Sequence, residues 1–216
     1  MSSIKQDLVD IVKIYSKDPF DPVYVSSIPQ GWTLHGKGNF AAVFSHPSLK
    51  GKVVKIYAEN RNGIVDEITV YKKLGEHKAY SELEEYGERY LVLKKLDGIT
   101  LYQAFKKGVF IPNSVISDVD KAINYAIQRG LNPTDIHGKN VIMNNGHGYI
   151  VDVSDFLKPY SCPKWKHFKF AYYTFYLPVF RRLHISLPNW FLERIRKGYQ
   201  LYLRISGFRK KQKNLD

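Results

Sequence analysis

Leu131 to Asn140 reads LNPTDIHGKN, and the apolar run Val141–Met143 follows at once. Asp135 and Asn140 stand five residues apart, in a loop-like stretch between a helical pattern and a strand. A second acidic strand end, YIVD, closes on Asp152. Taken singly, Asp135 would be a turn-capping carboxylate and Asn140 a loop hydrogen bond. Together they suit phosphoryl transfer. Asp135 would take the proton of an attacking hydroxyl, and Asn140 and Asp152 would offer hard oxygen atoms to Mg²⁺. One tight loop must aim the base at an acceptor and the amide at a metal, which is why the interval is short.

Working outward, GKGNFAAV (Gly36 to Val43) lies between two strand patterns, WTLHG and AAVFS. A third, KVVKIYA, carries Lys55, and the helical pattern Val65–Leu74 carries Glu67. Glycines let a backbone come close to the phosphates of ATP, a lysine neutralises the α- and β-phosphates, and a helix glutamate holds that lysine. The three strands form an antiparallel meander. RYLVLKKL is a buried strand that ends at Asp97-Gly98. Thr100 caps a helix through Lys107, and Ser114–Arg129 forms another that stops at Gly130. Ile4–Tyr15 is expected to be a short amphipathic helix.

These motifs resemble the protein-kinase-like superfamily over about residues 32–155. More narrowly, GLNPTDIHGKN, IVDVSDF and CPKW resemble the short bacterial serine/threonine-protein kinases of the YrzF type. The resemblance implies an α+β, two-lobed fold: a small antiparallel N-lobe sheet with one helix, then a compact, mainly helical C-lobe. It divides the chain into a helix and connector (1–31), an N-lobe (32–97), a C-lobe (98–208) and a basic tail (209–216). It assigns Gly36, Gly38, Ala41 and Val43 to the glycine loop, with Ala41 in place of a third glycine. Lys55 and Glu67 become the strand–helix pair, and Leu93 takes the gatekeeper position. The backbones of Lys94 and Leu96 would meet adenine, Asp135 is the base, and Asn140 and Asp152 hold the metal. The implied cofactors are ATP and Mg²⁺, and the acceptor is a hydroxyl of a protein or small molecule.

The departures bear on mechanism. Pro133-Thr134 replaces His-Arg before the catalytic aspartate. His137 stands where a lysine is usual and would offer the γ-phosphate a weaker, pH-dependent charge. Asp152-Val153-Ser154 replaces Asp-Phe-Gly, and no long activation segment fits between Asp155 and Trp165. The aspartate that supports the catalytic loop from the next helix is not evident, since WKHF supplies Lys166 and His167. A serine/threonine-protein kinase is the first reading. The alternatives are a small-molecule or lipid kinase, suggested by His137 and the trimmed C-lobe, and a weakly catalytic nucleotide-binding scaffold with a basic tail.

Composition excludes several other classes. The 216 residues, 44% hydrophobic and 25% charged, form one large domain or two small lobes. No glycine-rich P-loop precedes a Lys-Ser/Thr pair, no Gly-x-Ser-x-Gly elbow occurs, and the seven histidines lack zinc-site spacing. The lone Cys162 points to a reducing, cytoplasmic setting. The start carries no secretory signal, and Phe170–Phe180 is too short to span a bilayer. Charge is uneven: residues 1–155 hold 19 Lys and Arg against 18 Asp and Glu, whereas 156–216 hold 14 against 2. Trp165–Phe180 is expected to be a buried aromatic helix. In Pro188–Ile205, the stripe of Phe191, Leu192, Ile195, Tyr199, Tyr202 and Leu203 is expected to seal its lobe. The terminal RKKQK would then be a loose electrostatic arm. The same segment could instead meet an anionic membrane surface or nucleic acid.

Overall fold

The computed structural model describes residues 4–18, 21–180, 186 and 188–205. The basic tail 209–216 lies outside them. The chain divides into two compact units, Met1–Leu96 and Asp97–Asp216. Both combine helices with antiparallel strands, an α+β composition.

In the first unit, a π-helical turn (Lys5–Val9) leads into β1 (Lys13–Tyr15), which pairs with β2 (Tyr24–Ser26). The expected single helix over Ile4–Tyr15 is therefore corrected. Val12 and Ile14 are buried while Lys13 and Tyr15 are exposed, so a two-residue alternation wins over the helical spacing at this end. A five-stranded antiparallel sheet follows in the order β3-β4-β5-β7-β6. Its strands are β3 (Thr33–Lys37), β4 (Ala41–Ser45), β5 (Lys52–Tyr57), β6 (Leu83–Tyr86) and β7 (Tyr90–Lys94). Alternate residues Ala42, Phe44, Val54, Ile56, Tyr90 and Val92 join Leu8, Val9, Val12, Ile14 and Val23 in one core. The N-terminal segment thus covers one face of the sheet. Helix α1 (Ile64–Leu74) directs the buried Glu67 towards the other, which carries Lys55.

The second unit starts at Gly98, where φ is 142° and an added Cβ would lie 2.4 Å from the Met143 carbonyl oxygen. Only glycine fits that approach. Strand β8 (Ile99–Thr100) runs into α2 (Leu101–Lys107), which starts with a reciprocal capping box between Thr100 and Gln103. Helix α3 (Asn113–Gln128) packs on the hairpin β9 (Val141–Asn144) and β10 (His147–Ile150). The three strands pair in the order β10-β9-β8. Gly148 allows that packing, because a Cβ there would meet the Val115 carbonyl oxygen at 2.5 Å.

A helical run then extends from α4 (Lys164–Ala171) through a π-helical stretch (Tyr172–Tyr176) to α5 (Leu177–Phe180). Pro178 lacks an N–H and crowds the preceding turn, where the helix widens. Tyr176 accepts the Ile111 N–H at 2.9 Å, and the Tyr172 hydroxyl donates to the Ile111 carbonyl at 2.9 Å. These tyrosines satisfy a buried backbone at the start of α3. The expectation of a wholly buried aromatic helix holds for one side only: Trp165, Tyr172 and Tyr176 are buried, but Phe170 and Phe175 are exposed. The last helix is α6 (Asn189–Ile205). Its expected sealing stripe holds only in part: Tyr199 is half-buried against His167, whereas Phe191, Ile195 and Tyr202 are exposed. The side chains of Leu192 and Leu203, also in that stripe, lie outside those described. Among the described residues, no helix is long and apolar enough to cross a membrane.

Candidate functional site

The first unit supplies one group of candidates. Lys55 sits on β5, directly opposite Val43 of β4 and Leu91 of β7. Its Nζ donates to Oε1 of Glu67 at 2.8 Å. Lys55 is 9% exposed and Glu67 fully buried. Tyr57, two residues along the same face, donates its hydroxyl to Oε2 of Glu67. Both carboxylate oxygens are thus engaged, which offsets the cost of burying the charges. The strand spacing set up this triad: Lys55 and Tyr57 share a face because side chains alternate.

The glycine segment is the β3–β4 hairpin. Gly36 pairs with Val43, and a bulge separates it from Leu34. The Gly38 N–H donates to the Ala41 carbonyl, and the Gly38 carbonyl accepts from Val23. Neither Gly36 nor Gly38 has a left-handed φ, and a Cβ on Gly36 would meet nothing within 4 Å. Ala41 is buried and Val43 half-buried. At the far end of β7, the Lys94 N–H bonds to the Glu82 carbonyl and its own carbonyl accepts from the Ser81 hydroxyl. Its N–H is therefore spent inside the sheet, leaving one carbonyl lone pair. Leu96, half-buried, closes the unit.

The second unit brings together Asp135, His137, Asn140 and Asp152. Asp135 has φ of 58°, rare for a residue with a side chain. The Asn140 Nδ2 donates to the Asp135 carbonyl at 3.2 Å, and the Asn140 N–H to the His137 carbonyl at 2.9 Å. Spending the amide nitrogen this way leaves Oδ1 as an acceptor. The β9–β10 register pairs Val141 with Ile150, and the Val151 N–H extends it to the Asn140 carbonyl. Asn140 and Asp152 consequently flank the same end of one hairpin. The Lys139 N–H donates to Nδ1 of His137, so the neutral imidazole carries its proton on Nε2. That atom lies 3.6 Å from Oδ2 of Asp135, beyond hydrogen-bond length.

Two residues absent from the sequence-based set complete this cluster. Lys164, at the start of α4, ion-pairs with Oδ1 of Asp135. Burial pushes the Asp135 carboxyl up, but the contacts with His137 and Lys164 outweigh it and hold it below the usual carboxylate range. Asp155 is the second. Burial, then the charges on Asp135 and Asp152, push its carboxyl up to about 6. Three carboxylates therefore share one small region. The segment carrying Lys164 is fastened to α3: the Trp165 indole donates to Asp120 at 2.8 Å, and Lys169 reaches the same carboxylate at 2.9 Å. The CPKW motif contains Lys164, but nothing local joins it to its partner 29 residues away. Asp155 was legible only as a second acid in DVSD. Next to Asp135, the buried Thr134 hydroxyl has no hydrogen-bond partner among the described residues.

No family model matches the chain. It is 33% identical over 185 residues to a Bacillus subtilis protein named "Putative serine/threonine-protein kinase YrzF", covering 83% of this chain and 84% of that one. Among solved structures, a mutant of the Mycobacterium tuberculosis PknI kinase domain is similar at 20% identity, with a TM-score of 0.45. That match covers 60% of this chain and 62% of the PknI chain, too slight a likeness to carry weight. The extent of its identity to the Bacillus protein, over most of both lengths, means that the chain belongs to the protein-kinase-like family of YrzF.

Proposed function

We propose that the protein is an ATP- and Mg²⁺-dependent serine/threonine-protein kinase. The observation that carries this is the Asp135–Asn140 turn, which presents an ionised carboxylate and an amide oxygen beside Asp152. Asp152 and Asn140 are hard oxygen donors, which suit Mg²⁺ completed by substrate phosphates. Magnesium, when bound, supplies charge neutralisation on the β- and γ-phosphate oxygens. Lys55, fixed by Glu67, would neutralise the α- and β-phosphates. At Gly36 neither φ nor packing requires glycine, which supports backbone approach by a ligand. The remaining Lys94 carbonyl lone pair and the Leu96 backbone are the adenine contacts.

Asp135 orients the acceptor hydroxyl and takes its proton. The bond from that oxygen to the γ-phosphorus forms as the bond to the β-phosphate bridging oxygen breaks. Lys164 holds Asp135 ionised and brings positive charge to the γ-phosphate, and the Nε2–H of His137 faces the same carboxylate. The free, half-buried Cys162 agrees with a reducing, cytoplasmic setting.

The test uses the purified full chain, radiolabelled ATP with Mg²⁺, and a generic basic protein as acceptor. Asp135→Asn should lower transfer about 10²–10⁴-fold while Mg·ATP still raises the melting temperature. Lys55→Met should abolish both effects. Wild-type transfer by Asp135→Asn would remove the base assignment. A small-molecule acceptor is the second reading, favoured by one observation: the segment after Asp155 is short and pinned, with Asn132 Nδ2 donating to the Lys158 and Tyr160 carbonyls. Transfer to aminoglycosides or sugars, with none to protein, would select it.

A further inference from the structure

Helix α6 turns an apolar side outward. At about 100° per residue, Trp190, Leu201, Ile205, Phe191, Tyr202 and Ile195 fall within one arc of about 140°. All six are exposed, from 39% at Phe191 to 78% at Ile205. Arg194 lies inside this arc with its guanidinium 5.5 Å over the Trp190 ring, and Lys197 lies at its edge. Elsewhere on the helix, Tyr199 hydrogen-bonds Nδ1 of His167 at 2.9 Å, and Glu193 accepts from Tyr102 at 3.5 Å. These contacts attach α6 to its unit, and Tyr202 rests a ring edge against His167 at the end of the arc.

A continuous exposed apolar strip on a charged helix marks an interaction surface. Three occupants can be weighed by chemistry. A second copy of the chain would set Arg194 and Lys197 against themselves, with like charges opposed across a two-fold axis. A polynucleotide would use the cations and stack on aromatic rings, but offers nothing to Ile195, Leu201 and Ile205. An anionic bilayer surface matches both features. The boundary between headgroups and acyl chains takes Trp190, Phe191 and the aliphatic side chains, and the headgroup anions take the arginine and lysine. Residues 156–216 carry 14 Lys and Arg against 2 Asp and Glu, and Arg209, Lys210, Lys211 and Lys213 follow the helix in sequence. We propose that α6 is an interfacial helix that docks the protein on anionic membrane, lying in the surface plane without crossing it.

The experiment is flotation of the full chain with phosphatidylcholine vesicles and with vesicles that also contain phosphatidylglycerol, at low and high salt. Binding should require the anionic lipid and weaken with salt. The double variant Ile195→Ser with Ile205→Ser, which leaves charge unchanged, should weaken it about tenfold or more. Arg194→Ala with Lys197→Ala should weaken it and flatten its salt dependence. As a check independent of folding in those variants, tryptophan emission should shift to the blue on vesicles, and Trp190→Tyr should remove the shift. Three results would overturn the proposal: no preference for anionic vesicles, an unaltered double serine variant, or vesicle binding replaced by self-association or RNA capture through the same six side chains.

Discussion

Asp155 shows how one side chain ties the site to stability. Burial, reinforced by Asp135 and Asp152, raises its carboxyl from 3.8 to about 6. The fold therefore binds this proton more tightly than the unfolded chain. Its contribution favours folding below about pH 4 and is lost as pH rises through about 6. Asp155→Asn should stabilise the metal-free protein at neutral pH by roughly 1–3 kcal/mol and change little near pH 4. Thermal unfolding at the two pH values, in chelator, checks this. Asp135 works in the opposite sense: its lowered carboxyl contributes stability above the usual carboxylate range and loses it only in stronger acid. Lys164 is one cause of that lowering, through the ion pair with Oδ1. Lys164→Met should move the acid limb of the rate profile to higher pH and slow transfer about tenfold or more. An unmoved limb would leave His137 as the group that sets it.

At the level of elements, the β9–β10 hairpin does the positioning. Antiparallel register forces Asn140 and the residue before Asp152 together, whatever lies in the turn between them. The segment after Asp155 is held by Asn132, through the Lys158 and Tyr160 carbonyls. Asn132→Ala should cost about 1–3 kcal/mol in thermal unfolding and loosen the approach to Lys164. The spacing Asp135, Asn140, Asp152 was readable because it lies within one loop and one hairpin. The Lys55–Glu67 pair was readable because a strand and the helix after it bring the two residues together. Lys164 was not readable, because only the anchoring of α4 to Asp120 carries it to Asp135.

Across the whole molecule, the N-terminal segment is part of the first unit's core. Leu8, Val9, Val12 and Ile14 are buried to within 3% exposure, and Arg89 donates to the Val9 carbonyl at 2.6 Å. Each such side chain contributes about 1.5–3 kcal/mol, so together they rival the net stability of a small domain. Deleting residues 1–15 should abolish cooperative unfolding of the first unit, a loss visible by circular dichroism. Charge is distributed at the same scale, nearly balanced up to Asp155 and strongly positive beyond it.

By itself the amino-acid sequence determined the strand meander, the helix breaks at glycine and the order of the candidate residues. All of these rest on periodicity and spacing that act over a few positions. Only the tertiary structure decided that Val12 and Ile14 belong to a strand, that Asp155 sits among other carboxylates, and that Lys164 meets Asp135. It also decided that α6 exposes its apolar arc. A helical stripe shows that one side differs from the other, but which side faces solvent depends on what packs against it.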